Sequence, residues 1–148
     1  MRILVQKVRE ARVLVEQQMV GEIGRGLLLF IGITHTDSEA EARYLAEKCI
    51  NLRIFDGSDG KKNECSVKNE MGEILVVSQF TLYGDCRKGR RPGFDKAADP
   101  EKANLLYLYF VKQLRQHGLV VQTGQFQALM AVELVNDGPF TLLLEKEA

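Results

Sequence analysis

Two short runs carry the residues best suited to chemistry. Ser78-Gln79-Phe80-Thr81-Leu82 follows the apolar stretch Ile74-Leu75-Val76-Val77, and Asn136-Asp137-Gly138-Pro139-Phe140-Thr141 lies between two further apolar stretches. Each run sets small polar groups and exposed backbone at a strand end. A hydroxyl there could attack an acyl carbon, and a main-chain N–H could hold the resulting oxyanion. Thr81 is the tempting nucleophile, but a threonine hydroxyl needs an adjacent base or amine, and the local sequence offers none. Thr81 therefore reads better as a hydrogen-bonding pocket wall, and Ser78 equally well as a strand-end residue that satisfies backbone groups. Gly138 permits close backbone approach, while Pro139 fixes its own φ and lacks an N–H. The commoner meaning of Asp-Gly-Pro is a plain turn.

Conventional acid–base machinery is sparse. His35 follows a strand and His117 closes a helix, where an imidazolium complements the helix dipole, and neither stands in a motif. No G-x-S-x-G, H-E-x-x-H or glycine-rich phosphate loop occurs. A Ser-His-Asp triad assembled from distant residues is the less favoured reading. Cys49, Cys65 and Cys86 are an odd, widely spaced set without C-x-x-C, which argues against structural zinc and against a disulfide framework. No metal or cofactor is expected. The 20 basic and 20 acidic residues balance, so any contact with a polyanion must be local. The dense basic segment is Arg87-Lys88-Gly89-Arg90-Arg91. It suits a solvated loop and a clamp on nucleic-acid phosphates about equally well.

The elements that must position these groups are legible from periodicity. Residues 2–9 and 12–17 read as strands broken near Glu10-Ala11. Val20 to Ile23 and Leu27 to Ile33, joined by Gly24-Arg25-Gly26, read as a further hairpin. Ser38-x-x-Glu41 has the form of a capping box, and Ala42, Leu45, Ala46, Cys49 and Ile50 follow at helical spacing as far as Asn51. Asp56 to Gly60 is a turn cluster, and Ile74 to Val77 a buried strand. Asp99-Pro100 opens a second helix carrying Ala103, Leu106, Tyr107, Phe110, Val111 and Leu114, which Gly118 stops. Strands follow at Leu119 to Gln122, around Leu129 to Val135, and at Thr141 to Leu144. The expected fold is mixed α/β, a single β-rich domain over residues 1–148 with meander or barrel-like sheets and two main helices on one side. No stretch reaches the ~18 consecutive apolar residues of a membrane span, and no secretion signal opens the chain. The expected location is the cytosol.

The two runs, together with Arg2-Ile3-Leu4-Val5-Gln6, Leu52-Arg53-Ile54-Phe55 and Gly89-Arg90-Arg91-Pro92, resemble the D-aminoacyl-tRNA deacylase family along the whole chain. The resemblance implies hydrolysis of the ester between a D-amino acid and the 3′ end of tRNA. It implies that Ser78, Gln79, Phe80 and Thr81 form the catalytic pocket, and that Gly138-Pro139 is a cis peptide whose carbonyls reject L side chains. It further implies that this loop enters the site of a second copy in a homodimer, that Phe126 and Met130 help hold the terminal adenosine, and that glycyl-tRNA, including glycine mischarged on alanine tRNA, is cleaved. The match tips Arg87, Lys88, Arg90 and Arg91 toward tRNA phosphates. Phe126 and Met130 remain fair candidates for core packing. Where many relatives have arginine after Gln6, this chain has Lys7; the resemblance implies loop support from this position, for which lysine lacks the planar fork of arginine. Phe140 stands where valine is common.

The terminal ribose carries a 2′-hydroxyl beside the esterified oxygen, so the favoured mechanism is substrate-assisted. That hydroxyl positions water while the Phe80 N–H, Gln79 and Thr81 hold the substrate. The expected partners are tRNA and a second copy of the chain, with no DNA or membrane. Two rivals stand beside this reading: a noncatalytic module that docks on acceptor stems, and a deacylase with a trans Gly-Pro bond acting on a mischarged L-amino acid.

Overall fold

The computed structural model describes all 148 residues. Its elements are β1 (Arg2–Val15), β2 (Gln18–Ile23), β3 (Gly26–Gly32), α1 (Glu39–Asn51), β4 (Glu73–Ser78), a 3-10 turn (Phe80–Tyr83), α2 (Pro100–Arg115), β5 (Val121–Thr123) and β6 (Ala131–Glu145). One six-stranded sheet holds every strand. β1 pairs antiparallel with β2, β3 and β6, whereas β3, β4 and β5 run parallel to one another.

Three expectations about strand limits are corrected. Gly24 to Gly26 does not turn a hairpin: β2 and β3 both lie along the edge of β1 opposite β6, on one register from Arg2↔Gly32 through Val8↔Gly26 to Ala11↔Ile23. They form one long arm with a bend, and the hairpin turn is Glu16-Gln17, whose φ values of 49° and 65° suit the tight primed turns that follow strand twist. β1 is continuous through Glu10-Ala11, because the irregularity seen in the pattern is a pair of register shifts against β6 between Gln6 and Glu10. β6 is likewise a single strand, with Gly138-Pro139 inside it rather than between two strands.

The continuous apolar runs have a simple cause. Leu27, Leu29, Ile31, Ile74 and Val76 face a large core with the helices, while Leu28, Leu75 and Val77 face a smaller cluster with Val8, Ala11, Val13 and Ile23. β3 and β4 are thus covered on both faces, as central parallel strands require. The smaller cluster fills the inside of a curled, nearly closed sheet. A side chain at Gly21 of β2 would run into the Thr123 carbonyl of β5. Both helices pack on the other face, with Ala42, Leu45, Cys49 and Ile50 of α1 meeting Leu106, Phe110, Val111 and Leu114 of α2 in the large core.

Local capping behaves as the sequence indicates. Ser38 N–H donates to Glu41 Oε2 at 2.7 Å, and Ala40 N–H donates to Ser38 Oγ at 3.3 Å. Asp99 Oδ1 accepts from Lys102 N–H at 3.0 Å ahead of Pro100. No helix is long and apolar enough to cross a membrane.

Candidate active site

β4 delivers the first motif. Its last residue, Ser78, pairs with Ile31 of β3, and Gln79 N–H continues the ladder by donating to Ile31 O at 2.8 Å. The chain then leaves the sheet in the 3-10 turn, closed by Leu82 N–H to Gln79 O at 3.2 Å and Gly84 N–H to Thr81 O at 2.9 Å. As at any helix start, the first N–H groups, those of Phe80 and Thr81, have no acceptor within the turn. Phe80 and Thr81 are exposed and Ser78 and Gln79 half-buried. The Gln79 amide donates to Thr81 Oγ1. An amide cannot accept a proton from threonine, so the turn holds a polar wall without an internal base. The Phe80 ring meets Phe94 edge-on, with centroids 5.2 Å apart.

Two residues outside the motif set the turn's position, and neither carries a local sequence signal. A Cβ on Gly32 would lie 2.9 Å from Leu82 Cβ and 3.2 Å from Gln79 O, so the absence of a side chain lets the turn sit directly on the end of β3. Arg2 reaches the turn from β1 and donates to Leu82 O at 2.8 Å. The Tyr83 phenol is pushed up to about 12, chiefly by burial and then by the charge of Asp37. Asp37 is itself buried, 2.7 Å from the Met1 ammonium.

The second motif lies farther along the same ladder. The Gly138–Pro139 bond is cis, and both residues are exposed. Asn136 Nδ2 closes the base of the segment by donating to Lys7 O at 2.9 Å and to Phe140 O at 3.1 Å. Lys7 is buried beneath it, with Nζ 3.6 Å from Asp137 Oδ2 and 5.0 and 5.4 Å from the Phe55 and Phe140 ring centroids. Arg9 lies 3.9 Å from the other Asp137 oxygen. A Cβ on Gly138 would touch Asn136 Oδ1 at 3.7 Å, an ordinary contact, so nothing in this chain demands glycine there.

The structure does not bring the two motifs together within one chain. Their anchors on β1, Arg2 and Lys7, are five residues apart, roughly 17 Å of strand. Phe126 and Met130 follow β5, next to the strand that carries the first motif. Gly124 N–H donates to Val76 O at 3.0 Å, which sets the exit of β5 beside the exit of β4. Both side chains are half-buried: Phe126 stands 5.9 Å from Tyr107 against the large core, and Met130 packs on the smaller cluster.

The basic loop springs from the end of the turn and is closed by Asp85 and Gly93, whose N–H and C=O groups pair at 2.7 and 2.9 Å. Arg87 is already occupied, with Nε 2.9 Å and Nη2 2.7 Å from the two Asp85 oxygens. That fork holds the Asp85 carboxyl well below the usual carboxylate range. Lys88, Arg90 and Arg91 are exposed and have no ion-pair partner. No cluster of metal-ligating side chains occurs.

The D-Tyr-tRNA(Tyr) deacylase family model matches residues 4–145. A D-aminoacyl-tRNA deacylase of Thermotoga petrophila is 57% identical, covering 98% of this chain and 97% of its own. One of Shouchella clausii is 56% identical, over 99% of this chain and all of its own. The solved structure of c-Myc DNA Unwinding Element Binding Protein shares the fold with a TM-score of 0.93 and 39% identity over the whole of both chains. The molecule is therefore an enzyme of the hydrolase class. It belongs to the D-aminoacyl-tRNA deacylase family.

Proposed function

We propose that this chain hydrolyses the ester joining a D-amino acid to the 3′ end of tRNA, in the cytoplasm, and that it does so as a homodimer. The observation that carries the reading is the exposed turn at the exit of β4, which has free N–H groups and a Gln79–Thr81 hydrogen bond but no titrating partner for the hydroxyl. In the reaction, a water oxygen bonds to the carbonyl carbon and the bond from that carbon to the ribose 3′-oxygen breaks. The proton ends on the 3′-oxygen, giving free amino acid and tRNA. The Phe80 N–H faces the developing oxyanion, Gln79 and Thr81 line the pocket, and the neighbouring 2′-hydroxyl of the substrate positions the water.

Mirror-image substrates carry the same groups, so affinity for the side chain cannot separate them. A ten-thousandfold preference needs about 5.5 kcal/mol, more than a hydrophobic pocket supplies per methylene. A stiff main-chain obstacle supplies it by exclusion. Gly138-Pro139 suits that task because it is exposed, braced from below by Lys7, Asn136 and Asp137, and free of any demand from its own chain. The roughly 17 Å between the motif anchors supports donation of this segment to the site of a second copy. The outer face of β6, where Val135 and Leu143 are 42% and 54% exposed, offers apolar surface for that contact. Glycine presents nothing to exclude, so glycyl-tRNA is also cleaved, including glycine mischarged on alanine tRNA. Phe126 and Met130 border the terminal adenosine. Lys88, Arg90 and Arg91 meet phosphates, while Arg87 stiffens their loop.

Release of free amino acid from D-Tyr-, L-Tyr- and Gly-tRNA tests the reading. D-Tyr and Gly are expected to be released and L-Tyr retained; retention of all three leaves only a docking module. A tRNA ending in 2′-deoxyadenosine is expected to bind normally and react far more slowly, and unimpaired turnover would remove the substrate-assisted step.

A further inference from the structure

We infer that Arg2 is a positioning residue for this reaction, acting through the turn that carries Phe80 and Thr81. The inference rests on the deacylase reading above. A four-residue 3-10 turn has poor internal hydrogen bonding and cannot fix its own orientation. Its closing carbonyls also lack partners within the turn. Arg2 supplies what is missing with three contacts at once: Nη1 donates to Leu82 O at 2.8 Å, the guanidinium carbon lies 4.5 Å from the Tyr83 ring centroid, and Nε meets Glu145 Oε1 at 2.8 Å. Arg2 also sits opposite Gly32 on one side and Glu145 on the other, so one residue ties β3, β1, β6 and the turn together. Gly32 blocks the turn from below, and Arg2 stops it from sliding or rotating.

The effect belongs to rate rather than to stability. The Arg2 and Glu145 side chains are 36% and 49% exposed, and ion pairs this open contribute little to folding. A small displacement of the Phe80 N–H, by contrast, weakens the oxyanion contact directly, and misplacement on the ångström scale costs rate steeply. The far end of the same ladder provides a matched control. Arg12 and Glu133 form a 2.6 Å pair between β1 and β6, 50% and 53% exposed, with no turn attached.

The test is steady-state deacylation of D-Tyr-tRNA by the full chain, with melting temperature read in parallel. Arg2→Ala is expected to lower kcat by about tenfold while KM and melting temperature stay close to those of the parent. Arg2→Lys, which can still donate one bond to Leu82 O but cannot stack flat and fork, is expected to recover part of the loss. Arg12→Ala is expected to leave kcat unchanged. If Arg2→Ala matches the parent in kcat, or falls no further than Arg12→Ala, the inference is overturned. The same holds if the loss lies entirely in KM or tracks the unfolded fraction. Should Arg2→Ala not fold, the kcat of Arg2→Lys decides: parental turnover refutes the role and reduced turnover at parental KM supports it. A parent chain that releases no D-tyrosine would refute the deacylase reading itself, whereas an active parent with an unaffected Arg2→Ala refutes only the role of Arg2.

Discussion

The strand-exit turn and the Gly138-Pro139 segment are built on opposite principles. The turn is fixed from inside its own chain: the β3 ladder leads into it, Gly32 lies under it, Arg2 closes it and Phe94 leans on Phe80. The Gly-Pro segment is braced at its base, by Asn136, Lys7 and Asp137, and its tip is exposed. A Cβ at Gly32 would collide with the turn, whereas one at Gly138 would meet only an ordinary contact. Glycine at the first position answers an internal demand. At the second, packing within the chain makes no such demand.

The largest expected effect follows from Gly32. Gly32→Ala should push the turn off β3, lowering single-turnover deacylation by on the order of a hundredfold and destabilising the chain by about 1–3 kcal/mol in urea unfolding. Gly138→Ala should keep the parental unfolding curve yet lose about tenfold in D-Tyr-tRNA cleavage. A large loss of stability there would break the contrast between the two glycines. Next comes Lys7→Ala, which removes the brace and two ring contacts; about 1–2 kcal/mol of stability should go with it, and the D-to-L rate ratio should fall further than the D rate itself. Replacing Lys88, Arg90 and Arg91 together by alanine should weaken tRNA binding and reduce its salt dependence by about two to three units of log–log slope, with kcat for bound substrate unchanged.

The smallest effect concerns Tyr83, the buried residue at the end of the turn. Its folded pKa of about 12 lies above the ordinary 10, so the stability it contributes is complete below about pH 10 and is lost as pH rises toward 12. Tyr83→Phe keeps the ring on which Arg2 rests. It should leave the neutral-pH rate within about twofold and flatten part of the alkaline loss of stability seen by circular dichroism, the remainder belonging in part to Tyr107, also raised to about 12 by burial.

The sequence reveals the parts of the molecule whose causes are local. Ser38 and Glu41, and Asp99 with Pro100, announce the helix starts because a cap is made by neighbours in the chain. Ile74 to Val77 signals a strand covered on both faces. The long arm of β2 and β3 is not legible, since Glu16-Gln17 turns with positive φ without the usual glycine or asparagine, while Gly24 and Gly26 advertise a turn they do not make. Gly26 instead permits the approach of the Glu73 backbone. The continuity of β6 is hidden for a similar reason: a proline inside a strand reads as an end unless the register shifts in the partner strand are known. In the site, the motif residues stand out by type, but Arg2 lies 80 positions from the carbonyl it holds, and no local pattern reports such a bond. For Arg87 a local signal does exist, because Asp85 two residues earlier is a ready acceptor.

β1 serves as a ruler for both motifs, with one mark at Arg2, which holds the strand-exit turn, and the other at Lys7, beneath the Gly-Pro segment. Inserting or deleting one residue between those marks would shift them by about 3.3 Å and invert the inward and outward sides of the intervening strand. Length is therefore negotiable in loops such as 56–64 but not in this stretch, where one added or missing residue would put the two motifs out of step.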